Sequence, residues 1–162
     1  MILAVKTLDN VTLDLMLIPT DKKYYGELLA LAQETDNVRI VSPIQLDEVA
    51  TVLSGYSAGV VAIPPTNYNY ANCLPNKFFQ YIQARLPVIS TPIPEVKQII
   101  EQYQIGWVSS SFTTRSLQEV ILTASKTFST INSKKYESVA RLMSRETDDL
   151  VRIEIVKKLL RV

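Results

Sequence analysis

The chain has 162 residues, 47% of them hydrophobic and 20% charged, which excludes a disordered tail and suffices for one domain with a sizeable core. A formal net charge of +1 excludes a general field for nucleic acid or acidic membrane surfaces. With no histidine and one cysteine, Cys73, the chain cannot build a Ser-His-Asp triad, a Cys-His pair, a histidine or cysteine-rich metal site, or an internal disulfide.

In chain order, the apolar run VTLDLMLIP (11–19) predicts a strand. The period that follows predicts a helix from Lys22 to Gln33 with Tyr25, Leu28, Leu29 and Ala32 on one face. NVRIVSP (37–43) reads as a second strand and QLDEVATVLSGY (45–56) as a second helix. AGVVAIPP (58–65) is a third strand, and it runs into the long polar segment PPTNYNYANCLPN (64–76). A helix then opens with Pro75 in its first turn, where a missing N–H costs nothing, and buries Phe78, Phe79, Ile82 and Leu86. LPVIST (86–91) and IGWVSS (105–110) complete five strands around the helix EVKQIIEQY (95–103). From Thr113 to Val162 no strand is expected, only helical segments broken near Thr130 and Thr147; the basic edge of VRIEIVKKLL reads as a solvated face.

Continuous apolar strands alternating with amphipathic helices predict an α/β fold, a Rossmann-like doubly wound parallel sheet of about five strands. The expected organisation is a single domain over 1–162, with an α/β core at 1–112 and a helical tail at 113–162. No run approaches the ~18 apolar residues that span a bilayer, MILAVK is too short for a signal peptide, and a lone cysteine suits a reducing compartment. A cytoplasmic location is expected.

Ligands of open parallel sheets bind outside the carboxyl ends of the strands. The loops PTDKK (19–23), SPIQ (42–45), PPTNYNYANCLPN (64–76) and TPIPE (91–95) all lie on that edge, and the third is long, polar and aromatic. Tyr68 and Tyr70 there could stack on a ligand or merely cover the sheet edge. On the helix that follows, Asn76, Gln80 and Gln83 fall at i, i+4 and i+7 beside Lys77. That face is either solvated or, since a helix N-terminus next to a lysine suits phosphate, part of a ligand site.

LPNKFFQYIQARLPVISTPIPEV resembles the nucleotide-sugar-binding segment of GT-B glycosyltransferases, in the large bacterial family that includes capsular and lipopolysaccharide sugar transferases. The resemblance extends over about residues 1–110, with the strands and helices in family order. It implies the donor-binding half of an enzyme that moves a sugar from a nucleoside diphosphate sugar to a glycan or lipid-linked acceptor. The substrate would be a UDP-sugar or GDP-sugar, with no further cofactor and no metal. The acceptor would be held by a separate N-terminal domain, absent here, through which any peripheral membrane association would run; alone, the chain is expected to be inactive.

The resemblance implies Lys77 as the catalytic cation near the sugar phosphate. Leu74, Pro75 and Asn76 fall in the loop that approaches the donor, and Ser42, Pro43 and Ile44 in the loop that flanks the base. Many members carry a pair of glutamates here, the later one bonding the ribose. Their counterparts are Asn72 and Gln80, neither acidic. That departure supports an alternative, a non-catalytic relative or scaffold that partners a separate acceptor half. Family domains also usually begin with one more strand and a glycine-containing phosphate loop. MILAVKTLDN resembles the end of the helix after that strand, and the remaining sheet would take the order 2-1-3-4-5 if the gap closes. A receiver-like signalling domain is disfavoured, because 58–63 runs into Pro64 and Pro65 with no aspartate.

Overall fold

The computed structural model describes residues 1–128, 133–144, 149–150, 153–154 and 157–158. A short helix α1 (Ile2–Val5) leads into β1 (Leu13–Met16), α2 (Lys22–Gln33), β2 (Val38–Val41) and α3 (Val49–Leu53). Then come β3 (Gly59–Val61), α4 (Tyr68–Ala71), α5 (Asn76–Gln83), β4 (Val88–Ser90), α6 (Pro94–Tyr103), β5 (Gly106–Val108), α7 (Thr114–Ser125) and α8 (Ser133–Leu142). All five expected strands form, each trimmed at its ends. Pro19 and the Pro64–Pro65 pair, which have no N–H to give a ladder, lie just beyond the points where β1 and β3 stop.

The strands pair in parallel but form two sheets rather than one: β1 with β2, and β3-β4-β5 with β4 central. β1 and β3 do not pair, so the gap expected to close in the order 2-1-3-4-5 stays open. The breaks expected near Thr130 and Thr147, and most of VRIEIVKKLL, fall outside the described residues.

Alternation along β4 sends its side chains to opposite faces. Val88 joins a cluster with Phe78 and Ile82 of α5, Val96 and Ile100 of α6, and Tyr136, Val139 and Ala140 of α8. Ile89 joins another with Ile2 and Val5 of α1, Leu13 and Leu15 of β1, and Leu117, Ile121 and Ala124 of α7. The three-stranded sheet is thus covered on both faces, which is why β4 is buried throughout. The first helix of the expected tail, α7, is therefore part of the core.

Two glycines allow close approach. A Cβ at Gly106 would fall 1.9 Å from the Val88 carbonyl oxygen, and one at Gly59 would fall 2.2 Å from the ring of Tyr81. Helix α5 ends in a Schellman turn: Leu86 N–H bonds the Tyr81 carbonyl and Arg85 N–H the Ile82 carbonyl, with Arg85 left-handed at φ 59. Among the described residues no helix is long and apolar enough to cross a membrane.

Candidate functional site

The helices that follow strands differ in how their first turns are satisfied. Asp21 caps α2 by accepting from Lys23 and Tyr24 N–H, Asn67 caps α4, and Thr113 caps α7. Helix α6 has no side-chain cap and places Glu95 in its first turn. Helix α5 also lacks a side-chain cap, because its N-cap residue is Pro75, and its second residue is the exposed Lys77. An uncapped first turn leaves N–H donors and the positive end of the dipole facing outward. Helix α2 also begins with two exposed lysines, Lys22 and Lys23, but there Asp21 occupies the cap, whereas at α5 Lys77 stands beside a start with no side-chain cap.

Around that terminus, Asn76 is exposed and Pro75 and Gln80 are half-buried, while Leu74 is an exposed apolar residue. Asn72 is exposed and donates its amide N–H to the Tyr68 carbonyl at 2.9 Å, so it closes the turn of α4. Tyr68 itself is 81% exposed and Tyr70 is also exposed, which leaves their rings open to a partner rather than packed over the sheet. Ser42 and Pro43 are exposed and Ile44 is half-buried, on the loop after β2. Gln83 departs from the face expected for it. Its amide donates to the Ala140 and Met143 carbonyls at 2.9 and 3.2 Å, tying α5 to the end of α8.

A cavity of about 700 Å³ lies between the two sheets, lined by β1, by the segment from Gly55 to Val60, and by Tyr81, Ile121 and Phe128. Of the nine candidate residues, Lys77 alone lines it. The cavity also contains a polar group that the motifs did not single out. Arg39 Nε donates to Asp14 Oδ1 at 2.7 Å, Arg39 Nη2 to Asp14 Oδ2 at 2.9 Å, and the Tyr56 hydroxyl to Asp14 Oδ2 at 3.0 Å. Asp14 is 6% exposed whereas Arg39 is 64% exposed, so the carboxylate is inside and its counter-charge at the surface. The Arg39 hydrogen bonds hold the Asp14 carboxyl below its usual range against the opposing effect of burial. Burial, then the bond to Asp14, pushes the Tyr56 phenol up. The available signal was a carboxylate inside the apolar run VTLDLML, with an arginine at the facing position of VRIV.

Among the described residues no group of His, Cys, Asp and Glu could hold a metal ion. The chemistry the described site can offer is anion binding at α5, amide hydrogen bonding by Asn76 and Gln80, and stacking on Tyr68 and Tyr70. Comparison with family models, curated proteins and solved structures finds no match to this chain.

Proposed function

We propose that this chain is the donor-binding half of a nucleotide-sugar-dependent glycosyltransferase, working in the cytoplasm with an acceptor-holding half. The single observation that carries the reading is the start of α5: an eight-residue helix with no side-chain cap and Lys77 in its first turn, on the connection from β3 to the parallel strand β4. Such a terminus suits the diphosphate of a nucleoside diphosphate sugar. On this reading the two sheets are parts of one Rossmann-like, doubly wound sheet interrupted between β1 and β3. Glycosyl transfer breaks the bond from the anomeric carbon to the diphosphate and forms one to the acceptor oxygen. Lys77 and the N–H groups of α5 offset the charge that builds on the departing diphosphate. Gln80 offers the ribose one amide oxygen in place of a carboxylate, at a cost of roughly 1 kcal/mol per charge-assisted hydrogen bond.

Isothermal titration of the folded chain with UDP and GDP tests the reading. Binding of one of them in the sub-millimolar range is expected, about tenfold weaker in Lys77→Gln, consistent with loss of roughly 1.4 kcal/mol. No heat at millimolar nucleotide would overturn it.

A second reading, a non-catalytic relative that scaffolds a separate acceptor half, is favoured by the amides at Asn72 and Gln80. Under the enzymatic reading Gln80→Glu tightens nucleotide binding; under the scaffold reading it changes nothing.

A further inference from the structure

We propose that the exposed turn α4 and the loop that carries it form a docking surface for a neutral oligosaccharide. This surface is distinct from the anion-binding start of α5, and it stands whether or not a nucleotide binds there.

The turn is held so that its side chains are presented outward. Strand β3 stops at Val61, and Pro64 and Pro65 have no N–H with which to prolong a ladder. The chain turns at once, with Thr66 N–H on the Pro64 carbonyl at 2.8 Å. Asn67 then caps α4: its Oδ1 accepts from Tyr70 N–H at 2.9 Å, and its carbonyl accepts from Ala71 N–H. Asn72 closes the other end, donating from its backbone and its amide nitrogen to the Tyr68 carbonyl. Half-buried Cys73 packs against the cluster of Phe78 and Ile82, which anchors the turn to the core. A turn fixed by its own side chains loses little freedom when a ligand covers it.

These contacts leave the two rings outside. Tyr68 is 81% exposed and Tyr70 51% exposed, beside exposed Thr66, Asn67, Asn69 and Asn72. The sequence has no Lys, Arg, Asp or Glu between Glu48 and Lys77. A nucleic acid, an acidic lipid or a charged peptide therefore meets no opposite charge on the turn. A protein partner of standard size covers about 800 Å² on each side, far more than one helical turn presents.

A sugar matches what remains. One face of a pyranose ring is a patch of C–H groups that stacks on an aromatic ring. Its rim carries hydroxyls that both donate and accept, and a carboxamide does both as well. The Asn67 cap uses only the amide oxygen and the Asn72 closure only the nitrogen, so each side chain retains a group of the other kind. Tyr68 and Tyr70 lie two positions apart, about 200° around a helical turn. One sugar residue therefore meets one ring, whereas a chain laid over the turn meets both.

The test titrates the intact isotope-labelled chain with maltohexaose, cellohexaose, mannohexaose and fully acetylated chitohexaose, following amide shifts by NMR. At least one hexasaccharide should give saturable shifts centred on residues 66–73, with a dissociation constant at or below about 1 mM. The matching monosaccharide should bind at least about tenfold more weakly. Tyr68→Ala, at a position the fold leaves in solvent, should weaken the hexasaccharide about tenfold with an unchanged melting temperature. Tyr68→Phe keeps the stacking face and should stay within about threefold of wild type. No saturable shift with any of these sugars, shifts centred outside residues 66–73, equal affinity for the monosaccharide, or undiminished binding by Tyr68→Ala would each overturn the proposal.

Discussion

Asp14 is the side chain whose surroundings depart furthest from what its position in a strand suggests. It is nearly buried, doubly bonded by Arg39 and bonded again by Tyr56, yet Arg39 stands largely in solvent. The exposed partner screens the pair, so its removal costs less than that of a fully buried one. Asp14→Asn is expected to lower stability at pH 7 by about 1–2 kcal/mol, toward the low end for hydrogen bonds to a charged group. The sign with pH follows from the depressed folded-state pKa. The stabilisation is complete above the unfolded value, about 3.9, and is lost as pH falls from there through the folded value. Urea unfolding at a series of pH values should therefore show wild type and Asp14→Asn converging below about pH 4. Parallel curves would mean that Asp14 is not the titrating group. Asn37 fills a second polar role, donating from one amide nitrogen to the Val5, Leu8 and Val11 carbonyls at 2.8 to 3.0 Å. Asn37→Asp replaces that donor with an acceptor facing the carbonyls, and is expected to destabilise by about 3 kcal/mol, read as a fall in the denaturant midpoint.

At the scale of elements, helix α5 shows how far periodicity carries and where it stops. Phe78 and Ile82 are buried as their spacing predicts, and Pro75 sits at the helix start. Spacing also groups Gln83 with Asn76, Lys77 and Gln80, but it cannot reveal that α8 packs alongside. That contact joins residues more than fifty positions apart, so no local pattern encodes it. Gln83→Ala leaves the Ala140 and Met143 carbonyls without that donor and is expected to cost about 1 kcal/mol. Because Gln83 faces α8, the change should leave nucleotide affinity unaltered; a joint loss of stability and affinity would put Gln83 back on the ligand face. The five strands were legible for a different reason. Each is an apolar run closed by proline or polar residues, and such runs identify themselves without their neighbours. What they do not encode is which strand lies beside which, and the open boundary between β1 and β3 is a property of pairing alone.

For the whole molecule, that boundary divides stability unevenly. Strand β4 is hydrogen-bonded on both sides, buried along its length and covered by helices on both faces. Strand β2 is an edge, β1 pairs with β2 alone, and α2 contributes only Ala32 as a fully buried residue. Separating β1, α2 and β2 from the rest breaks no strand ladder. It breaks the Tyr56–Asp14 bond, the Asn37 bonds to the segment after α1, and the apolar contacts of Leu13 and Leu15. A unit held by side chains opens more readily than one held by side chains and ladders together. Native-state hydrogen exchange should therefore show amides of β2 protected at least about tenfold less than those of Val88 and Ile89. Low concentrations of urea sharpen the distinction. Exchange in β2 would respond weakly, because a partial opening exposes little surface, while exchange in β4 would follow the slope of global unfolding. Equal protection and equal slopes would show that the two sheets unfold as one unit despite their missing ladder. Unequal ones would make the β1–β3 boundary, where no ladder crosses, the line along which the fold first opens.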